Sequence, residues 1–550
     1  MIRLLILKFK TKIDNLGTRS YIPRPMPSRQ PQVQVPRAFE REKRRQLGAG
    51  KLRALLGSDW LLVWAALFLG LAGYLLGERI PVSGGLGYDG IEYAAVARNP
   101  AQHILVEGMT EYRVVRILPS IAVHFALRFL AIPPTDANIL RAFELLNVVI
   151  IVSVAALWRL LARQWGLSLT GKWFGFLGLF VNYAVAKFAS YYPNLTDMSA
   201  FGLGAGMLYV YLKRADFVLV FLTFLAAFTF PPAFAVGILL VLFPARCEIV
   251  APCHGLYRYL LIIGCAAFAV LAFALSVVFY VRNGEEALLC LRPPMVGLLW
   301  LSVPLACAYL IYGMITILNQ EMLWSPRAML GRVQAWRVMT VAALVVVQMG
   351  FAALFARSAS GWLLSSVQRI FFASVTAPGI SVVAHCAWYG PVFLCTVLLW
   401  PRISPIIQAH GVGLTLAAAF AVLMSLLSES RCFVNLVPLI VPFVAKTVDE
   451  RSWRPGQCWL FVGLCLLGSR FWLPQNLRYP ELYFMNVGSF MTDWDYALQI
   501  VICLALGYIL YRIWSLAPKK GEDQHSLRLQ GPHRSTNTFS SRHTPEVAPD

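Results

Sequence analysis

Twelve predominantly apolar runs constrain what this chain can fold into more than any other feature: 58–77, 138–160, 173–190, 197–213, 257–281, 295–318, 338–356, 384–400, 411–428, 433–447, 457–473 and 497–514. Most have the roughly 17 to 25 residues that a helix needs to cross a bilayer core. Within lipid a helix satisfies all of its own backbone polar groups, so it is the form such runs adopt. Of the 550 residues, 58% are hydrophobic and only 14% are charged, whereas soluble domains carry about 25% charged residues. A string of soluble domains is thereby excluded. The expected fold is all-α, a polytopic membrane protein of about 12 transmembrane helices.

A thirteenth apolar stretch, 216–245, is interrupted by Pro231-Pro232. Proline removes an amide donor and restricts the residue before it, so this stretch is expected to form a hairpin of two short helices that returns to its starting face. An even number of crossings leaves both tails on one side. Residues 1–57 carry 14 Lys/Arg against 3 Asp/Glu, while 515–550 carry 5 against 4; the basic N-terminal segment makes the shared side cytoplasmic. The chain thus reads as a disordered basic cytoplasmic tail over 1–57, a multi-spanning membrane domain over 58–514 and a second disordered cytoplasmic tail over 515–550. The basic tail is read as attracted to anionic lipid, with no nucleic-acid partner. Eleven cysteines, none in a Cys-x-x-Cys pair, are read as small packing residues.

Assigning the charges of the membrane domain to the nearer face gives 15 basic and 6 acidic residues inside and 14 of each outside. This balanced outer set is where chemistry is expected. The largest outer loop, 78–137, contains a helix-compatible run from Tyr88 to Asn99 and an apolar stretch from Ile117 to Ile132, read as a helix lying in the interface. Glycines on both sides of Asp89 allow a tight turn that brings backbone close to a ligand. Asp89 and Glu92 share a helix face if a helix begins there; the same spacing fits a capping box. Arg113 and Arg116 match phosphate oxygens in their planar donor forks, or snorkel to lipid headgroups. Glu429 and Arg431 sit in a tight outer turn, where a local ion pair is the alternative to a ligand site. Asp197 is read first as a helix cap, and the Asn194 sequon is discounted because it lies against the membrane. His385 either lines an outer cavity or is a satisfied buried histidine.

Tyr88-Asp89-Gly90 after the first span, then Arg98-Asn99-Pro100, Tyr112-Arg113 and Arg116-Ile117-Leu118-Pro119, and later Glu429-Ser430-Arg431 followed by Pro438, form an ordered set. In order and topology the set resembles the GT-C class of membrane glycosyltransferases, in particular bacterial mannosyltransferase-like members that use a polyprenyl-phosphate sugar. The resemblance implies a GT-C-like fold with interfacial helices in the first outer loop, in a bacterial inner membrane. It makes Asp89 the general base, with Glu92 orienting the acceptor or assisting Asp89, and it assigns donor phosphate to Arg113, Arg116 and Arg431. Tyr88, Tyr93, Tyr112, His385 and Glu429 become candidates for lining the acceptor cavity. The implied partners are membrane lipid, the polyprenyl-phosphate sugar and a glycan, lipid or protein acceptor. Family members often carry paired acids in this loop; here Asp89 has no adjacent acid, so the cofactor question, including a divalent cation, stays open. Two other functions stand beside transfer: a transporter or flippase for a lipid-linked substrate, and a catalytically silent membrane scaffold.

Overall fold

The computed structural model describes residues 59–246, 251–283, 294–325, 328–329, 331–358, 362–451, 453, 455–469, 471–472, 475–476, 488 and 491–517. The tail over 1–57 and all but the first residues of the 515–550 tail lie outside the described residues. In chain order the helices of nine or more residues among those described are α1 (Asp59–Leu76), α2 (Gly90–Arg98), α3 (Leu118–Phe129), α4 (Asp136–Gln164), α5 (Leu169–Phe180) and α6 (Asp197–Leu212). They continue with α7 (Asp216–Ala227), α8 (Pro231–Leu242), α9 (Gly255–Asn283), α10 (Leu299–Leu318), α11 (Ala335–Phe355) and α12 (Trp362–Ala373). The last six are α13 (Ile380–Tyr389), α14 (Pro391–Gln408), α15 (Val412–Met424), α16 (Val437–Asp449), α17 (Pro455–Ser469) and α18 (Asp493–Leu516). Among the described residues the strands are β1 (Met109–Thr110) and β2 (Ala356–Ser358), which pair in parallel and tie the first loop to the end of α11.

Among the described residues seven helices, α1, α4, α9, α10, α11, α14 and α18, are long and apolar enough to cross a membrane. At 1.5 Å per residue, even 18 residues extend about 27 Å, close to the hydrocarbon thickness of a bilayer. Their ends are set by local chemistry. Thr135 caps α4 by accepting from the Asn138 amide, and Thr492 caps α18 by accepting from the Asp495 amide at 3.2 Å. After α4, Gly166 adopts φ 63° and its amide donates to the Arg163 carbonyl at 3.1 Å, closing the helix in the left-handed conformation that glycine tolerates.

Two expected spans are broken. The run at 384–400 is divided at Gly390-Pro391: Gly390 has φ 69°, Pro391 starts α14, and the preceding residues belong to the short α13. The run at 173–190 ends its helix at Phe180. Fully buried Asn182 stitches the break, donating to the Gly178 and Leu179 carbonyls at 3.0 and 3.1 Å and accepting from the Val185 amide. The runs at 197–213, 411–428, 433–447 and 457–473 hold helices of 16, 13, 13 and 15 residues.

The Pro231-Pro232 stretch forms two 12-residue helices, α7 and α8, with Pro231 opening α8 and Phe230 extended before it. Buried Arg337 binds both ends of this hairpin, the Asp216 carboxylate at 2.5 Å and the Val241 carbonyl at 2.8 Å. Twelve residues rise only about 18 Å, so the hairpin stops partway through the bundle. Its tip meets the first loop: the Leu118 amide donates to the Phe228 carbonyl at 2.9 Å.

Contacts sort the helix termini into two ends. Lys172 pairs with Asp59 at 2.6 Å and the Ser168 amide donates to Asp449 at 3.0 Å, which places the starts of α1 and α5 with the finish of α16. At the opposite end Arg79 forks onto Glu144 at 2.6 and 2.8 Å, and the Ile80 amide donates to the Tyr191 carbonyl. The 78–135 segment and the turn around Arg431 both lie at this second end.

Candidate functional site

The glycines around Asp89 do allow a close approach, but to the protein's own side chains. A Cβ on Gly87, whose φ is 71°, would fall 2.4 Å from the Tyr192 ring; one on Gly90 would fall 2.2 Å from Asn194 Nδ2. The Gly90 amide donates to Tyr192 Oη at 3.1 Å, and Asn194 Nδ2 donates to the Leu86 and Gly90 carbonyls. Asn194 is thus fully buried and committed to holding the turn. Asp89 takes the N-cap position of α2 without making a side-chain cap bond. Its carboxylate faces arginine instead.

Arg113 Nη2 donates to Asp89 Oδ1 at 3.0 Å and Arg113 Nη1 to Glu92 Oε1 at 2.9 Å. Arg431 Nη2 lies 4.0 Å from the other Asp89 oxygen, and its Nε donates to Glu429. The deeper Arg116, 6% exposed, lies with its guanidinium carbon 3.8 Å from the centre of the Tyr112 ring and 4.8 Å from that of Phe230. Phe230 is the tip of the α7–α8 hairpin, so the hairpin and the first loop meet at one arginine. Glu92 also meets His103 Nε2 at 2.8 Å, while His103 Nδ1 meets Glu107 at 2.6 Å. Depth is graded: the side chains of Asp89 and Arg113 are 26% and 28% exposed, that of Arg431 11%.

Burial alone would raise the Asp89 pKa, but Arg431, then Arg113 and Arg116, outweigh it and hold the carboxyl below its ordinary value. Tyr93 is 1% exposed and burial pushes its hydroxyl up to about 12, so it remains a neutral donor. Tyr93 Oη, Arg116 Nε and Asp197 Oδ1 are buried without hydrogen-bond partners among the described residues. Such atoms are costly unless a polar group meets them. Asp197, the first residue of α6, makes no side-chain cap bond either; it is 4% exposed and within the electrostatic reach of Arg431 and Arg116.

The fold therefore gathers Asp89, Glu92, Tyr93, Tyr112, Arg113, Arg116, Glu429 and Arg431 at one end of the bundle. Tyr88 is 46% exposed. His385 is drawn elsewhere: fully buried on α13, it meets the Ser425 carbonyl at 2.9 Å and packs among Tyr389, Phe393 and Phe433. Asp197, His103 and Phe230 join the site without having been singled out for it. Asp197 carried a signal, an acid opening an apolar run, and Phe230 was marked only by the two prolines after it. Among the described residues no group of three or more His, Cys, Asp or Glu side chains is placed to share a metal ion.

No match was found in comparisons with known protein families, curated proteins and solved structures. Function must therefore be argued from this geometry.

Proposed function

We propose that this protein transfers a sugar from a polyprenyl-phosphate donor to an acceptor on the extracytoplasmic side of a bacterial inner membrane. The observation that carries this reading is the juxtaposition of a partly exposed carboxylate, Asp89, with Arg113, Arg116 and Arg431, of which the last two lie deeper. A carboxylate at the rim can take a proton from an acceptor hydroxyl. Guanidinium groups behind it can neutralise a departing phosphate, because their planar forks match its oxygens.

The free protein holds Asp89 through Arg113. A donor phosphate competes for that guanidinium and releases the Asp89 oxygen. The acceptor oxygen then bonds to the anomeric carbon as the bond from that carbon to the phosphate oxygen breaks. The electron pair leaves with polyprenyl phosphate, and the hydroxyl proton passes to Asp89. Glu92 orients the acceptor, with Tyr93 as a neutral hydrogen-bond donor nearby.

In this reading the seven long helices are joined by five shorter or broken passages to make twelve crossings of a GT-C-like fold, with both tails cytoplasmic. The alternation of helix ends described above supports it, as does the basic segment over 1–57. The test is transfer from a radiolabelled polyprenyl-phosphate hexose in membranes. Asp89→Asn is expected to lower the rate by about 100-fold or more, the contribution of a positioned base; full transfer by this variant would exclude Asp89 as the base. One observation favours passage of a lipid-linked substrate instead, the α7–α8 hairpin that stops partway through the bundle. Uptake into proteoliposomes without chemical change would decide for that reading.

A further inference from the structure

At the end of the bundle opposite Asp89, helices α14, α16 and α18 leave a cavity of about 200 Å³. Its walls include Leu399, Leu510 and Trp453, and Arg402 and Trp514 also line it. Arg402 and Arg451 each place a guanidinium carbon 5.0 Å from the centre of the Trp514 ring. Arg451 additionally donates to the Ala517 carbonyl at 2.9 Å. Among the described residues neither arginine makes an ion pair, in contrast to Arg113, Arg337 and Arg431, each of which meets a carboxylate. Trp514 lies 21 residues along α18 from Asp493, about 30 Å along the helix axis.

An apolar recess with two cations beside its Trp514 wall, neither ion-paired among the described residues, complements one kind of molecule, an amphiphile with an anionic head. Dry apolar cavities of about 150 Å³ already accept hydrocarbon guests, and this one opens outward past Leu398 and Tyr511, which are 44% and 61% exposed. Basic pockets between membrane helices on the cytoplasmic side hold anionic headgroups. The chain's own basic segment, with Arg41, Lys43, Arg44 and Arg45, would meet like charge here. We infer that this recess binds an anionic phospholipid, its phosphate on Arg402 and Arg451 and part of an acyl chain in the cavity.

The test uses the full chain in nanodiscs of equimolar phosphatidylglycerol and phosphatidylcholine with matched acyl chains, followed by release from the discs and quantification of retained lipid. Phosphatidylglycerol is expected to be enriched at least fivefold over phosphatidylcholine. Arg402→Gln with Arg451→Gln should return the ratio to that of the bulk lipid, while Lys213→Gln, a charge lost elsewhere, should not. Leu399→Trp, which fills the cavity and keeps both arginines, should also abolish retention. A measurement that needs no variant at the arginines is quenching by phosphatidylglycerol brominated on its acyl chains: the Trp514 contribution, obtained by difference with Trp514→Phe, should be quenched more than with brominated phosphatidylcholine. Equal retention of the two lipids, enrichment that survives the double substitution, or full displacement by inorganic phosphate would each overturn the inference, the last by making the site one for free phosphate.

Discussion

Arg113 divides one guanidinium between two carboxylates, giving Nη2 to Asp89 at 3.0 Å and Nη1 to Glu92 at 2.9 Å. The fork spans 21 to 24 residues of loop and joins the start of α2 to the turn before α3. It is partly exposed, so its value lies in placement more than in stability.

The pairing fixes a pH dependence. The Asp89 carboxyl is held below its ordinary value in the folded protein, with Arg431 and then Arg113 overcoming the effect of burial. Its contribution is therefore present above the unfolded value, about pH 4, and is lost as pH falls through the lower folded value. The acid limb of the transfer rate is expected below pH 4. In Arg113→Gln the limb should move upward, because one of the two main opposing charges is gone. A pH profile of kcat/KM for both proteins in the same membranes checks this, because it reports the free protein in which Arg113 holds Asp89, and coincident acid limbs would dissociate Arg113 from Asp89.

Gly90 is expected to resist enlargement more than any exposed glycine. A Cβ there would fall 2.2 Å from Asn194 Nδ2, which is fixed by the Leu86 and Gly90 carbonyls. Gly90→Ala should cost about 1 to 3 kcal/mol, the range for overpacking. Gly456→Ala, where a Cβ meets nothing within 4 Å in the first turn of α17, should be neutral or slightly stabilising. Thermal unfolding in one detergent separates the two, and equal midpoints would mean that the Asp89 turn yields freely.

The helical class of this fold was legible because lipid leaves apolar runs few alternatives, and the hairpin was legible because Pro231 and Pro232 state where a helix can start. The breaks at Asn182 and Gly390 were not. Asn182 reads as one polar residue in an apolar run until its three backbone bonds are seen. At the site, Asp89 and Arg113 stood out as charges in an outer loop. Arg431 could be paired with them only by folding, since its partner lies more than 300 residues away. The glycines were read as making room for a ligand, while their neighbours Tyr192 and Asn194 occupy that room. Nothing local connects Phe230 with Arg116, since their contact depends on how far the hairpin reaches into the bundle.

That reach is set at the hairpin base. Arg337 is 3% exposed and joins Asp216 to the Val241 carbonyl. Arg337→Met should lower stability by about 1 to 3 kcal/mol; removal of one partner from a buried pair costs more, but Asp216 is partly exposed and water screens it. A double-mutant cycle with Asp216→Asn should give a coupling of at least about 0.5 kcal/mol. The same substitution should reduce cross-linking between cysteines placed at Phe230 and Tyr112, both of which flank Arg116. Unchanged cross-linking would show that the tip is held by its contact at Leu118 and not by the base.

The sidedness of the site gives the broadest prediction. If the basic segment over 1–57 is cytoplasmic, the end of the bundle that carries Asp89 faces outward. Glu107 lies at that end, where it meets His103 beside Glu92, and is exposed. Lys213 follows α6 at the other end, near Asp216 and the base of the hairpin. In a background with all eleven cysteines replaced, a cysteine at 107 should react with a membrane-impermeant maleimide on intact spheroplasts. A cysteine at 213 should react only after the membrane is opened. The reverse pattern would place Asp89 in the cytoplasm. It would rule out a donor presented on the outer leaflet and leave the arginine cluster to a cytoplasmic phosphate compound.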